Sequence, residues 1–243
     1  MINARKNVAD PTKDSKPMRV PSAFRFLAGC VALFALVTSA YAGGWDLVTV
    51  KDFPDFAVVG KTLELTFTVW VPSLKPLQGV HPVVRATDAK GRAVRAIANA
   101  GVPAGKYTAA LILPEPGEWV IDVDTEYENA AELPPLKVIA PGIPAPDPPP
   151  LTTRGFRLFA LKSCNGCHLH PEVKEGRLYG PDLTVKLLSK EYLKRFLADP
   201  GITPVPEEVC SKDRSYCGSP YAMPNLNLQE AEIEALVAFI TKK

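Results

Sequence analysis

Side chains that can hold a metal or move a proton near neutrality are scarce in this chain. Its 243 residues include three histidines, three methionines and five cysteines. Between residues 43 and 140 there is a single histidine, His81, and neither cysteine nor methionine. That excludes a cupredoxin-type copper centre, which needs two histidines, a cysteine and a weak methionine. It excludes equally a dinuclear copper site built on a cysteine pair. An excess of one charge is also lacking. The 28 Lys and Arg face 26 Asp and Glu, a net +2, which does not suggest nucleic acid or an acidic polymer as partner. No second Cys/His pair stands at zinc-finger spacing. No βαβ pattern surrounds the cysteines, as a thioredoxin-like dithiol would require.

What is present is the pentapeptide Cys164-Asn165-Gly166-Cys167-His168. Two thiols separated by two residues, with a histidine directly after the second, form the c-type haem attachment pattern. Each thiol adds across one porphyrin vinyl group, so the sulfurs must sit one local turn apart. His168 then lies under the iron and supplies the proximal imidazole. Electron-transfer haems often take methionine as the second axial ligand. Met1 and Met18 precede an apparent export signal, which leaves Met223, in Tyr221-Ala222-Met223-Pro224-Asn225, as the methionine downstream. Gly218 to Asn227 reads as loop, not as an apolar stripe that Met223 would merely fill. His170 is too close to His168 to reach the opposite haem face, and His81 belongs to another segment.

These motifs extend outward. Gly155-x-x-x-Phe159 precedes the pentapeptide; Gly180-Pro181-Asp182-Leu183, Tyr192-Leu193, Asp199-Pro200 and Met223-Pro224 follow it. Over residues 154–240 the chain resembles a class I mono-haem cytochrome c. That resemblance implies that the Pro181 carbonyl accepts the His168 ring N–H, which fixes the tautomer and raises ligand basicity. It also implies that the last helix crosses the first near Gly155. Family members often place a tryptophan near the haem propionates. Here Trp45, Trp70 and Trp119 all lie elsewhere, so the propionate partners stay open.

Residues 1–42 read as an export signal. A basic stretch to Arg25 is followed by Phe26 to Trp45 without a charge, and Ala40-Tyr41-Ala42 matches an A-x-A cleavage site. Cleavage after Ala42, or retention of residues 26–45 as a membrane anchor with its basic side in the cytoplasm, both fit. Residues 43–140 carry about seven short runs of strand character, several alternating apolar with polar and punctuated by glycine. They are expected to form an antiparallel immunoglobulin-like sandwich. Residues 141–150 hold six prolines in Pro141-Gly142-Ile143-Pro144-Ala145-Pro146-Asp147-Pro148-Pro149-Pro150. They are expected to act as a semi-rigid spacer of about 30 Å.

Residues 151–243 carry helical periodicity. A helix is expected from Gly155 to Ser163, a second after an N-cap at Ser189, and a third after a capping box at Asn227 and Glu230. Lys186, Lys190, Lys194 and Arg195 form a basic neighbourhood, readable as an electrostatic docking patch or as a solvated helix face. Cys210 and Cys217 lack a following histidine; export makes a disulfide between them the expectation.

The fold class expected is therefore multidomain: an N-terminal all-β sandwich, a Pro-rich linker, and a C-terminal all-α class I cytochrome c domain. The function expected is one-electron transfer by a periplasmic, exported c-type cytochrome with one covalent haem c. It would be a subunit of, or shuttle to, a membrane electron-transfer complex of a respiratory chain, with redox proteins as donor and acceptor and no catalysis of its own. The alternative is a haem peroxidase, an accessory oxidoreductase subunit or a gas sensor, each with an open sixth position.

Overall fold

The computed structural model describes residues 46–71, 75–127, 130–173, 180–183, 188–201 and 223–242. The chain divides into two units, Met1–Ala42 and Gly43–Lys243. The first, with the expected export signal, lies outside the described residues, and so does the rest of the uncharged run up to Trp45.

The described residues of the second unit begin with nine strands: β1 (Leu47–Lys51), β2 (Phe56–Val58), β3 (Thr62–Trp70), β4 (Val83–Asp88), β5 (Ala93–Ile97), β6 (Asn99–Ala100), β7 (Lys106–Ile112), β8 (Gly117–Asp124) and β9 (Ala131–Ile139). They make two sheets, ordered β1-β3-β7-β6 and β2-β9-β8-β4-β5. The pairings are antiparallel except β2 with β9, which is parallel. Strict alternation explains the arrangement. In β3, Leu63, Leu65, Phe67 and Val69 are buried while Thr62 and Glu64 are exposed, the period of a half-buried strand. The inner faces close on Trp119, Tyr107, Phe67, Leu111 and Ile121. Their polar tips are satisfied: Trp119 Nε1 donates to the Glu115 carbonyl at 3.1 Å, and the Tyr107 hydroxyl to the Leu77 carbonyl at 3.0 Å.

Three helices follow: α1 (Leu151–Leu161), α2 (Lys190–Ala198) and α3 (Glu230–Ile240). Pro150 precedes α1 with φ −52° and ψ 150°, an extended geometry that proline favours. At α2 the Ser189 hydroxyl accepts the Tyr192 N–H at 3.2 Å, a cap that satisfies an otherwise orphaned donor. The start of α3 differs from expectation. Asn227 is left-handed at φ 51°, and it is Gln229 whose N–H reaches the Glu232 carboxylate, at 2.9 Å. The cap thus lies two residues later than the Asn227/Glu230 pair.

The expected fold class is corrected here. Among the described residues the structure is mostly sheet, 35% strand against 21% helix with three short helices, and no sizeable all-α domain of class I cytochrome c type is evident there. The helices have one apolar cluster of their own, around Phe159, Leu193, Leu197, Leu236 and Phe239. Yet α1 also packs on β1 and β9, and its Leu161 is buried within the sandwich core beside Val48 and Val50. Burying one leucine contributes about 1.5–3 kcal/mol. The Pro-rich stretch therefore does not hold a separate haem domain at a distance; it returns the chain onto the sandwich. Helical periodicity showed which side chains of α1 are apolar but not that they face two different neighbours.

Candidate cofactor-attachment site

The attachment turn is built at the C-terminal end of α1. The Lys162 N–H still bonds the Leu158 carbonyl at 2.8 Å. Ser163 then turns left-handed, φ 53° and ψ 32°, and Cys164–Gly166 forms a single 3₁₀ turn. The N–H groups of Cys167 and His168 both return to the Cys164 carbonyl, at 3.1 and 2.8 Å. The two cysteines thus bound one local turn of backbone. No disulfide joins Cys164 to Cys167.

The next stretch fixes the histidine. The Gly180 N–H donates to the Cys167 carbonyl at 2.7 Å, which brings 180–183 alongside the pentapeptide. His168 Nδ1 lies 2.9 Å from the Pro181 carbonyl oxygen. A carbonyl only accepts, so Nδ1 carries the proton and Nε2 keeps its lone pair for a metal. Gly180 is there because nothing larger fits: a Cβ on it would stand 2.4 Å from His168 Cε1. Burial holds the imidazole below its ordinary pKa, against the Pro181 carbonyl, which favours the protonated ring. A neutral, oriented imidazole is the form that ligates iron.

The Cys164 thiol is shifted the opposite way from the attacking thiol of a redox dithiol. Burial pushes the Cys164 thiol up to about 12, the neighbouring Cys167 adds to the rise, and Lys162 opposes it. Dithiol oxidoreductases need the opposite, a lowered thiol pKa. Lys162 is itself held by Glu232 on α3, Nζ to Oε1 2.8 Å.

Met223 is half-buried and packs on the same helical apolar cluster as Cys164. His170 is a core residue. It is buried, its ring centroid lies 4.1 Å from that of Phe239, and its Nδ1 accepts the Glu172 N–H at 3.2 Å. His81 is exposed beside Glu126 on the sandwich. The structure thus brings Cys164, Cys167, His168 and Pro181 together, with Met223 on the same cluster. Cys210 and Cys217 lie outside the described residues.

The expectation of a metal-binding protein is corrected for the described residues. Among the described residues no three His, Cys, Asp or Glu side chains converge, so no metal cage of protein ligands alone is present there. The two cysteines among them, Cys164 and Cys167, are not joined in a disulfide; the expected pair, Cys210 and Cys217, lies outside the described residues. The residues do fit a covalent haem, which needs only two thiols and axial donors. That fit rests on the turn, the oriented neutral imidazole and the bare Gly180 against its ring. Sequence reasoning missed Ser163, Lys162 with Glu232, and Leu47, whose Cδ2 would lie 2.2 Å from a Cβ on Gly166. A Gly inside the Cys-x-x-Cys segment was the available signal for that close approach.

No protein-family model matches the chain, and no curated protein matches it. Solved structures give limited likenesses. The filamin domain of Lin-41 is 9% identical, TM-score 0.34, and covers 40% of this chain and 98% of that one. Domains 4 and 5 of the S-layer protein SbsC are 16% identical, TM-score 0.29, over 39% of this chain and 51% of that one. A β-glucosidase from Listeria innocua is 17% identical, TM-score 0.29, over 39% of this chain and 16% of that one. None of the three carries an argument at that overlap. With a predominantly β architecture and no matching family, the resemblance to class I cytochrome c is corrected. The motifs stand as a candidate local site, not as family membership.

Proposed function

We propose that this chain carries one covalent haem at Cys164 and Cys167 and moves single electrons, without converting a bound substrate. The observation that carries the reading is the bond between His168 Nδ1 and the Pro181 carbonyl, one residue beyond a Cys-x-x-Cys turn. Haem supplies the Fe(II)/Fe(III) couple. Cys164 and Cys167 would hold the haem through thioethers, each formed by adding sulfur to one vinyl carbon and hydrogen to the other, which consumes no oxidant. The 3₁₀ turn keeps the two cysteines on one local turn of backbone. The Pro181 carbonyl holds the His168 ring and keeps Nε2 unprotonated. Met223 would offer the iron a thioether, which favours the reduced state.

The partners proposed are redox proteins, a donor and an acceptor, in or near a membrane electron-transfer complex. The place proposed is outside the cytoplasm. Its support is the basic segment, the uncharged run and the Ala40-Tyr41-Ala42 site. Among the described residues no helix is long and apolar enough to cross a membrane.

The test is direct. Chain purified from a host that matures c-type haem, denatured and extracted with acid acetone, is expected to retain haem absorbance and the mass of one haem. Loss of all haem to the extract overturns the proposal.

A further inference from the structure

We propose that the sandwich is part of the attachment site: edge strand β1 braces the Cys-x-x-Cys turn, and Ser163 is the positioning residue. The inference rests on the function proposed above. It starts from Ser163, which stands between the end of α1 and Cys164 in the left-handed region, φ 53°. A non-glycine residue is held there only when its surroundings over-determine it. Three bonds do so. Its N–H donates to the Ala160 carbonyl at 2.9 Å, its carbonyl accepts the Gly166 N–H at 2.9 Å, and its hydroxyl donates to the Val48 carbonyl of β1.

β1 can offer that carbonyl because it lies at the edge of its sheet. An edge strand leaves one row of backbone groups without a strand partner. The alternation of β1 provides the second brace. Val48 and Val50 point into the sandwich core, so Leu47 lies on the other face, half-buried. It meets the turn at Gly166, where the missing Cβ leaves room for Leu47 Cδ2. Two consecutive strand residues thus hold the residues on either side of Cys164 and Asn165. The separation of the two sulfurs is set by the turn, and the turn is set by the sandwich. A role for the sandwich as a mere partner-docking module does not require either contact.

The experiment uses the full chain and three forms of it. Ser163→Gly keeps the left-handed backbone but removes the hydroxyl; Ser163→Asn tolerates the same backbone and restores a donor. The first readout needs no haem: hydrogen exchange of the Gly166, Cys167 and His168 amides in the apo chain. Tenfold or faster exchange at these three in Ser163→Gly, with β3, β7 and α3 unchanged and Ser163→Asn restoring protection, is the expected result. Unchanged exchange in Ser163→Gly overturns the proposal. The second readout is the ratio of doubly to singly thioether-linked chains by mass, expected to fall severalfold in Ser163→Gly and to recover in Ser163→Asn. An equal ratio in all three overturns the positioning role. Failure of the unmutated chain to take haem overturns the function proposed above instead, and the exchange readout still decides the brace.

Discussion

Gly155 on α1 meets Ala235 on α3 backbone to backbone. A Cβ on Gly155 would stand 2.0 Å from the Ala235 carbonyl oxygen and 2.6 Å from Phe239 Cβ. No rotamer change relieves a clash with a carbonyl, so the helices must part. They share the apolar cluster that holds Phe159, Leu236 and Phe239, and Cys164 packs on it. Gly155→Ala is therefore expected to destabilise the chain by about 3 kcal/mol, the upper range for overpacking. Urea unfolding checks this; a loss below about 0.5 kcal/mol would show that the crossing is looser than described.

Gly180 makes a similar claim about the site itself. A side chain there would push on the His168 ring, whose Cε1, Nδ1 and Nε2 all lie within 3.0 Å of the added Cβ. Moving the ring breaks its bond to Pro181 and misaims Nε2. Gly180→Ala is expected to leave both thioethers intact but to weaken proximal ligation, read as a high-spin component in the ferric spectrum. A fully low-spin spectrum would mean that His168 does not depend on this contact.

Arg157 ties α1 to the loop after β1. Nη2 donates to the Pro54 carbonyl at 3.1 Å, Nη1 lies 3.5 Å from Asp55, and the guanidinium sits 5.6 Å from the Phe53 ring centroid. Burial lowers the Arg157 pKa while Asp55 raises it. A guanidinium starts so high that it stays charged. Arg157→Ala leaves the Pro54 carbonyl without this donor and is expected to cost about 1–3 kcal/mol. Arg157→Lys keeps charge but not the fork, and should recover only part. Equal stability of Arg157→Ala and the unmutated chain, by thermal melting, would exclude this clamp.

Met223 decides between a carrier and a haem with an open sixth position. The unmutated chain is expected to be low-spin, with little carbon monoxide binding to the reduced form. Met223→Ala should open the iron, lower the potential and admit carbon monoxide. Rapid carbon monoxide binding before any substitution would favour the peroxidase or sensor reading.

The strands were largely legible because alternation is a local property: β3 reads Thr62-Leu63-Glu64-Leu65 and buries every second residue. β2 and β6, three and two residues long, are too short to show a period. The tight turn at Cys164–Gly166 was legible because a Cys-x-x-Cys spacing calls for one local turn. The relation of the helices to the sheets was not. Leu161 lies in the core of the sandwich and Phe159, two residues earlier, in the helical cluster, and a sequence pattern does not say which neighbour each apolar residue meets. Ser163 was equally hidden, since a polar residue after a helix usually faces water, whereas here the acceptor is Val48, far away in the chain.

Asp46 gives the pH dependence. The Thr125 hydroxyl, in a buried residue, donates to Asp46 Oδ2. Burial raises the Asp46 pKa above its ordinary value of 3.8; the Thr125 bond lowers it, and Asp124 adds to the rise. The folded chain therefore holds this proton more tightly than the unfolded one. Stability from this group is full below the unfolded pKa and falls as pH rises through the folded value, because the unfolded state then binds fewer protons. Asp46→Asn keeps an acceptor for Thr125 and cannot ionise, so it should abolish this dependence and be no less stable than the unmutated chain at neutral pH. Thr125→Val should lower neutral-pH stability by about 1 kcal/mol, the net worth of one hydrogen bond. Melting temperatures of the three forms across pH 3 to 8 test the pair. If Asp46→Asn instead loses stability at neutral pH and gains none relative to its low-pH value, the carboxylate is stabilising when charged, and burial does not dominate at this site.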